Sequence, residues 1–273
     1  MKKFKMALAA VGVLALAGCS VIVQNYFQSK TFKRIELGEG IIAVDRFEHA
    51  SNAFTEGYFL YNDCLYESSG RYGMSFLYRQ NDPMDISKGS LSSALPEDVF
   101  AEGMVGLDDS LYLLTYQEHK AYHVNPDTFT LNESFAYPRE GWGLTTDGEF
   151  LIASDGSSEL FYMDKDFQTI KTVQVKENEV PVDQINELEW VNGYIVANLW
   201  QKLDLIIIQP ETGEVVKRID CRNLYADMSK TDKAQFKKVQ YDVLNGIAYD
   251  EKTNLLYVTG KYWSYVYALQ FSI

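Results

Sequence analysis

The chain is 273 residues long and carries 38 Asp and Glu against 25 Lys and Arg, a formal net charge of -13. Such an acidic surface repels phosphate backbones and anionic lipid headgroups, so nucleic-acid binding and a polybasic membrane contact are disfavoured and neutral or cationic partners fit better.

The chain opens MKKFKMALAAVGVLALAGCS, three lysines followed by an apolar run of about a dozen residues, the length of a secretory leader and too short to span a bilayer. The run ends in Leu16-Ala17-Gly18-Cys19, which resembles the bacterial lipobox. That resemblance implies cleavage before Cys19 and lipidation of Cys19. Ser20 stands where an Asp would favour inner-membrane retention, so the expected place is the outer membrane of a bacterial envelope, facing the periplasm. Losing Lys2, Lys3 and Lys5 with the leader takes the formal charge from -13 to -16.

The remaining chain shows almost no amphipathic helical pattern, and a repeat emerges when tight-turn signals are aligned. The units are YFLYNDCLYESSG (58–70), MVGLDDSLYLLTY (104–116), LTTDGEFLIASDG (144–156), LEWVNGYIVANLW (188–200) and IAYDEKTNLLYVTGK (247–261). Each reads strand, polar turn, strand, and Asp147-Gly148 and Asn192-Gly193 are strong two-residue hairpin signals. Second hairpins follow around HVNPDTFTL (123–131), YMDKDFQTI (162–170) and IIQPETGEVV (207–216). Four strands per unit at a period near 45 residues predict an all-β, five-bladed β-propeller. The last unit lacks its outer strand, so the segment from Gly40 to Phe47 is expected to supply it and close the ring. Three parts follow: a leader at 1–18, a lipid-anchored linker at 19–39 and the propeller at 40–273. Residues 222–240 break the pattern and predict a short helical insertion on the surface. Cys64 and Cys221 fall in blades that are not neighbours, so two buried free thiols are expected rather than a disulfide.

In a propeller the inner strand starts, and the second strand returns, at one face of the ring, so two positions per blade point into one funnel. The first reads Glu56, Glu102, Trp142, Asn186 and Asn245. The second reads Gly70, Tyr116, Asp155, Leu199 and Lys261, with Trp200 and Trp263 close by. Lys261 is set to meet Asp155 in an ion pair if its role is structural. PREGWGLT (138–145) is one wall, its Trp142 flanked by Gly141 and Gly143, as where backbone or ligand must come close. His119 and His123 sit on a strand or loop edge and give no metal set, no serine-nucleophile elbow or phosphate loop is present, and a structural calcium at a turn is the only metal the sequence leaves room for.

The series FTEG (54–57), LYESSGRYG (65–73), FAEGM (100–104), EGWGLTTDG (140–148), LIASDGS (151–157), NELEW (186–190), ANLW (197–200), DVLNGIAYD (242–250) and VTGKYW (258–263) resembles the plant and bacterial glutaminyl cyclases, or glutamine cyclotransferases, five-bladed propellers. The resemblance covers almost the whole mature chain, in order. It implies conversion of an N-terminal glutamine of peptides or proteins to pyroglutamate with release of ammonia, without a cofactor. It also implies Glu102 as proton shuttle, Asn186 and Lys261 as polar contacts at the reacting groups, and Phe54, Phe100, Trp142 and Trp200 as the aromatic pocket. Two positions depart from the family pattern: Phe54-Thr55-Glu56-Gly57 stands for the usual Phe-Thr-Gln-Gly, and Tyr116 for a Trp. A second glutamate, Glu56, binds the substrate's ammonium more tightly and raises its pKa. The rival expectation is a silent propeller lipoprotein that binds peptide N-termini or acts as an envelope scaffold.

Overall fold

Tight turns form where the sequence supplies residues that tolerate left-handed backbone. Asn192 (φ 50) with Gly193 (φ 85), and Asn62 (φ 49) with Asp63 (φ 64), each turn one strand back on the next. The computed structural model describes residues 32–50, 52–231 and 243–271. Its first strands are β1 (Ile35–Gly38) and β2 (Ile41–Glu48). Blade one is β3 (Thr55–Tyr61), β4 (Cys64–Ser69), β5 (Phe76–Gln80) and β6 (Ser90–Ala94). Blade two is β7 (Ala101–Leu107), β8 (Ser110–Thr115), β9 (Lys120–Val124) and β10 (Leu131–Ala136). Blade three is β11 (Leu144–Thr146), β12 (Leu151–Ala153), β13 (Glu159–Met163) and β14 (Thr169–Gln174), followed by a small hairpin, β15 (Lys176–Glu177) and β16 (Val180–Pro181). Blade four is β17 (Ile185–Val191), β18 (Tyr194–Leu199), β19 (Asp204–Ile208) and β20 (Val215–Asp220). Helix α1 (Arg222–Thr231) leads on to β21 (Leu244–Asp250), β22 (Leu255–Gly260) and β23 (Tyr265–Gln270) of blade five.

Each blade is an antiparallel sheet in sequence order, and the inner strands β3, β7, β11, β17 and β21 touch in that order, with β21 returning to β3. The chain is a five-bladed β-propeller. The expected closure is present: β2 pairs with β23 in register Ala43↔Leu269 and Phe47↔Val266, so the chain's beginning completes the blade that its end leaves short. Blade five gains one strand more, because β1 pairs with β2; the stretch read as linker therefore contributes structure before Gly40.

Apolar residues fill the spaces between neighbouring blades. Ile152 and Tyr162 of blade three pack with Ile195, Ala197 and Ile206 of blade four, all essentially without solvent contact. The insertion is helical over Arg222–Thr231, while the rest of the stretch up to 240 lies outside the described residues. It also contributes to the core: Leu224 and Met228, one turn apart, are buried with Trp263 and Tyr267. Cys64 and Cys221 are free, as their separation predicts, with Cys221 buried in that same cluster and Cys64 half-buried.

A buried polar latch secures the closure. His49, directly after β2, approaches Trp263 O through Nδ1 at 2.8 Å and Glu67 Oε1 through Nε2 at 3.1 Å, while Thr55 Oγ1 donates to the same carboxylate oxygen at 2.7 Å. Burial alone would pull the imidazole pKa down, but the Glu67 charge and the hydrogen bonds to Glu67 and Trp263 raise it above the usual value. A raised folded-state pKa contributes stability that is fully present below the unfolded value of about 6.5 and is lost as pH rises through the folded value. Thermal unfolding measured from about pH 5 to 9 is expected to show the wild-type midpoint falling on the alkaline side. His49→Gln should lower the midpoint at acid pH by the equivalent of about 3 kcal/mol and lose that slope.

Candidate active site

Every inner strand carries an irregularity at its first residues. Register shifts fall between Thr55 and Gly57, Ala101 and Met104, Ile185 and Leu188, and Leu244 and Ile247, so two inner residues there oppose one on the second strand. Blade three does the same just before β11: Ser154 N donates to Gly143 O while Trp142 N donates to Ser154 O. A bulge re-aims a side chain out of the alternating pattern. Glu56, Glu102, Trp142, Asn186 and Asn245 all occupy it, which is why five residues far apart in the chain share one row.

The row is drawn tight by backbone contact between blades. Gly103 N donates to Trp142 O at 2.7 Å. A Cβ on Gly103 would meet Trp142 O and Leu144 N at 2.5 Å, and one on Gly143 would meet Asn186 O at 2.1 Å. Small polar side chains pin the same places: Ser68 Oγ donates to Glu102 O (2.5 Å), Ser154 Oγ to Asn186 O (2.6 Å), Asn198 Nδ2 to Leu244 O (2.5 Å) and Asn245 Nδ2 to Thr55 O (2.7 Å). The glycines around Trp142 thus admit neighbouring backbone, the need that PREGWGLT raises.

At the centre lie three charged side chains almost cut off from water: Glu56 is 1% exposed, Glu102 and Lys261 6%. Lys261 Nζ donates to both Glu56 carboxylate oxygens at 2.6 Å, and Asn245 Nδ2 to Glu56 Oε2 at 3.2 Å. The Glu102 carboxyl lies beside that of Glu56, close enough for each to act on the other. Burial, then the adjacent Glu56 charge, push the Glu102 pKa well above the carboxylate range; Lys261 opposes this without cancelling it. Burial pushes Glu56 up too, but Lys261, Glu102 and Asn245 all stabilise its anion. Of the two carboxyls, Glu56 is the one held by the cation, and Glu102 is the one whose neutral form burial and the adjacent carboxyl favour.

Aromatic rings roof this cluster. Phe54 lies under Lys261 Nζ at 4.2 Å and meets Phe100 (6.2 Å between centroids) and Tyr262 (5.4 Å). Phe100 in turn meets Tyr116 and Tyr72, both at 5.3 Å. Further round, Trp142 and Trp200 stand edge to face at 5.8 Å, with Trp142 against Gly156 and its Nε1 donating to Glu140 at 3.2 Å.

Most expected residues are thus assembled: Phe54, Glu56, Phe100, Glu102, Tyr116 and Lys261 in one connected cluster, Trp142 and Trp200 on another wall, and Asn186 in the row between them. Three expectations are corrected. Asp155 does not meet Lys261; its Oδ1 accepts from Ser157 N (3.1 Å) and Ser157 Oγ (2.6 Å), tying its own loop. Leu199 is buried in the core, and Trp200, whose N–H reaches Gln184 O as Tyr116 reaches Phe100 O, holds the return position. Trp263 packs inward against Tyr225 and Tyr267, leaving Tyr262 on the pocket. Asn245 and Tyr262 join the site from motifs already visible, LNG and GKYW; Tyr72, in GRYG, joins by loop placement, which the sequence does not reveal. Cys19 lies outside the described residues. Among the described residues no group of three or more His, Cys, Asp or Glu is placed to hold a metal ion. A cavity of about 590 Å³, lined among others by Asn62, Thr145, Glu189 and Tyr249, opens where the inner strands end, on the face away from this cluster.

The family model described as glutamine cyclotransferase matches residues 13–271. The chain belongs to the glutamine cyclotransferase family. It is 33% identical over 236 residues to a glutaminyl-peptide cyclotransferase of Arabidopsis thaliana, an alignment covering 84% of this chain and 71% of that protein. The crystal structure of Myxococcus xanthus glutaminyl cyclase superposes with a TM-score of 0.75 at 30% identity, covering 84% of this chain and 95% of that one.

Gly143→Ala tests how the cyclotransferase fold holds its row. The added methyl meets backbone, which cannot step aside as a side-chain tip can, so urea unfolding is expected to show a loss of about 1–3 kcal/mol.

Proposed function

We propose that this member of the family acts as a glutaminyl-peptide cyclotransferase, closing an N-terminal glutamine to pyroglutamate and releasing ammonia, with Glu102 handling the proton of the departing nitrogen. The observation that carries the reading is the buried Glu102 carboxyl beside the Glu56–Lys261 pair, beneath an aromatic roof. The amine and the γ-carbonyl are already tethered, so holding them face to face supplies much of the rate. The amide nitrogen leaves only if protonated, and a carboxyl whose neutral form is favoured by burial and by a neighbouring carboxylate is suited to that task.

Lys261 is placed to stabilise negative charge on the carbonyl oxygen as the tetrahedral centre forms. The Phe54, Phe100 and Tyr116 rings, with Trp142 and Trp200 opposite, pack the methylene chain of the substrate and exclude water. Asn186 supplies amide hydrogen bonding from the row. In this reading the reaction uses the protein's own acid and base groups and no cofactor, and the substrate is a peptide or protein with N-terminal glutamine. The protein works anchored by a lipid on Cys19, facing the periplasm from the outer membrane; the leader motif supports this, and the described residues contain no helix long and apolar enough to cross a membrane.

Ammonia release from Gln-initiated dipeptides is expected for the wild type. Glu102→Gln should lower kcat/KM by about 10²–10⁴-fold while the protein stays folded. Equal rates for both, matching the uncatalysed reaction, would leave the silent-propeller reading. For the anchor, Cys19→Ala should move the protein from the membrane fraction to the soluble one.

A further inference from the structure

The Glu56–Lys261 pair is more than a neutral rest for two charges, because the anion sits beside the acid. We propose that Glu56 is a second proton-transfer group: its carboxylate takes a proton from the substrate's α-ammonium, while Glu102 delivers its own to the departing amide nitrogen. The inference rests on the cyclotransferase reading and extends it.

The geometry supports two separate roles. Glu56 is the carboxyl held by the cation, with Lys261 Nζ at 2.6 Å and Asn245 Nδ2 at 3.2 Å, both of which favour its ionised form. Lys261 acts on Glu102 too, but less than burial and the adjacent Glu56 carboxyl do. The groups facing the pair are few. From β17 comes Glu187, whose Oε1 accepts from Tyr58 N at 3.1 Å and whose carboxyl is pushed up by burial and by Glu189 and Glu56 nearby; Glu118 acts on Glu102, and Glu102 in turn adds to the upward push on Tyr72 and Tyr116. Glu67 on β4 is turned away, engaged by His49 and Thr55. All of these are acids; Arg71 lies over Phe54 and donates to Tyr262 at the roof, Lys261 is the cation that donates to Glu56 itself, and a substrate ammonium enters a cluster rich in carboxyls.

The protons balance over the cycle. The reaction starts with Glu56 ionised, Glu102 protonated and the substrate as ammonium. One ammonium N–H bond breaks, its proton passing to Glu56, and the freed lone pair attacks the γ-carbon. The new C–N bond forms as the carbonyl π pair moves onto oxygen. The pair returns as the old C–N bond breaks, the Glu102 proton going to the leaving nitrogen to make ammonia. Glu102, now ionised, takes back the surplus proton of the ring nitrogen, leaving the lactam N–H. Glu56 hands its proton to the ammonia, which departs as ammonium, and both carboxyls are restored. Tight binding of the ammonium form is thereby productive, because the group that binds it also deprotonates it.

The test is the pH profile of kcat/KM for a Gln-initiated dipeptide with Glu56→Gln. Wild type is expected to hold its activity below neutrality. The variant, limited to substrate whose α-amine is already free, should show its acid limb near pH 8 and fall by ~50-fold between pH 8 and pH 6, while staying within about tenfold of wild type at alkaline pH. An unchanged profile, or a loss equal at every pH, would overturn the proposal and mark Glu56 as only the structural partner of Lys261. Should Glu56→Gln fail to fold, ¹³C NMR titration of the glutamate carboxyls decides: wild type shows two interacting steps that collapse to one in Glu102→Gln, and two independent single titrations overturn the proposal. A wild type that releases no ammonia at any pH would instead refute the cyclotransferase reading, a result the Glu56→Gln comparison cannot mimic.

Discussion

The centre of the molecule is governed by how closely five inner strands approach at their first residues. With Gly143 against the Asn186 carbonyl and Gly103 against Trp142 and Leu144, blades meet backbone to backbone, and no side chain fits between them. A bulge at the same place in each blade turns one residue per strand out of the alternating pattern and into the shared space. Close approach and bulge depend on each other, since the extra residue needs room that only a glycine or a pinned carbonyl leaves. Ser68, Ser154, Asn198 and Asn245 supply those pins from the side, each satisfying a carbonyl that the irregular ladder would leave unpaired.

That arrangement lets the protein bury charge where it would otherwise be costly. Two carboxylates and an ammonium under aromatic rings would each lose their hydration, and their attraction alone repays this poorly. In the cluster, burial and the adjacent carboxyl favour the neutral form of Glu102, while Lys261 and Asn245 hold the Glu56 carboxylate. Glu189, deeper along the same strand as Asn186, shows the same response, since burial pushes its carboxyl up to about 8. The central passage is thus rich in carboxyls whose neutral forms desolvation favours.

The repeat was legible because hairpin turns demand left-handed backbone and so leave Asn, Asp and Gly in the sequence at regular intervals; Asn192-Gly193 is the plainest case. Closure by the segment after Gly40 was legible from a missing strand. Register at the mouth was less so. The return position in blade four falls at Trp200, one residue beyond Leu199, as the Trp200 N–H on Gln184 O shows. The partner of Lys261 was hidden for a related reason: it depends on which blades adjoin around the ring, and blade five adjoins blade one, bringing Glu56 rather than Asp155 to the lysine. The helix over Arg222–Thr231 showed in the sequence as a charged interruption, but its burial of Leu224 and Met228 depends on the Trp263 and Tyr267 surface beneath it.

A nearly dry site also suits the choice between two outcomes open to a glutamine side chain. Water attacking the γ-carbonyl would yield glutamate; the tethered amine attacking it yields the five-membered ring. Tethering gives the amine a high effective concentration, but only if it is unprotonated and folded back onto the carbonyl. The aromatic roof over Glu102 favours both conditions at once, because rings that exclude water leave the backbone amine as the nucleophile at hand and force the side chain to curl beneath them. In the proposed reaction, Glu102 and Glu56 then complete the proton transfers beneath those rings. A polar, open funnel with the same acid would bind the same peptide and lose that preference.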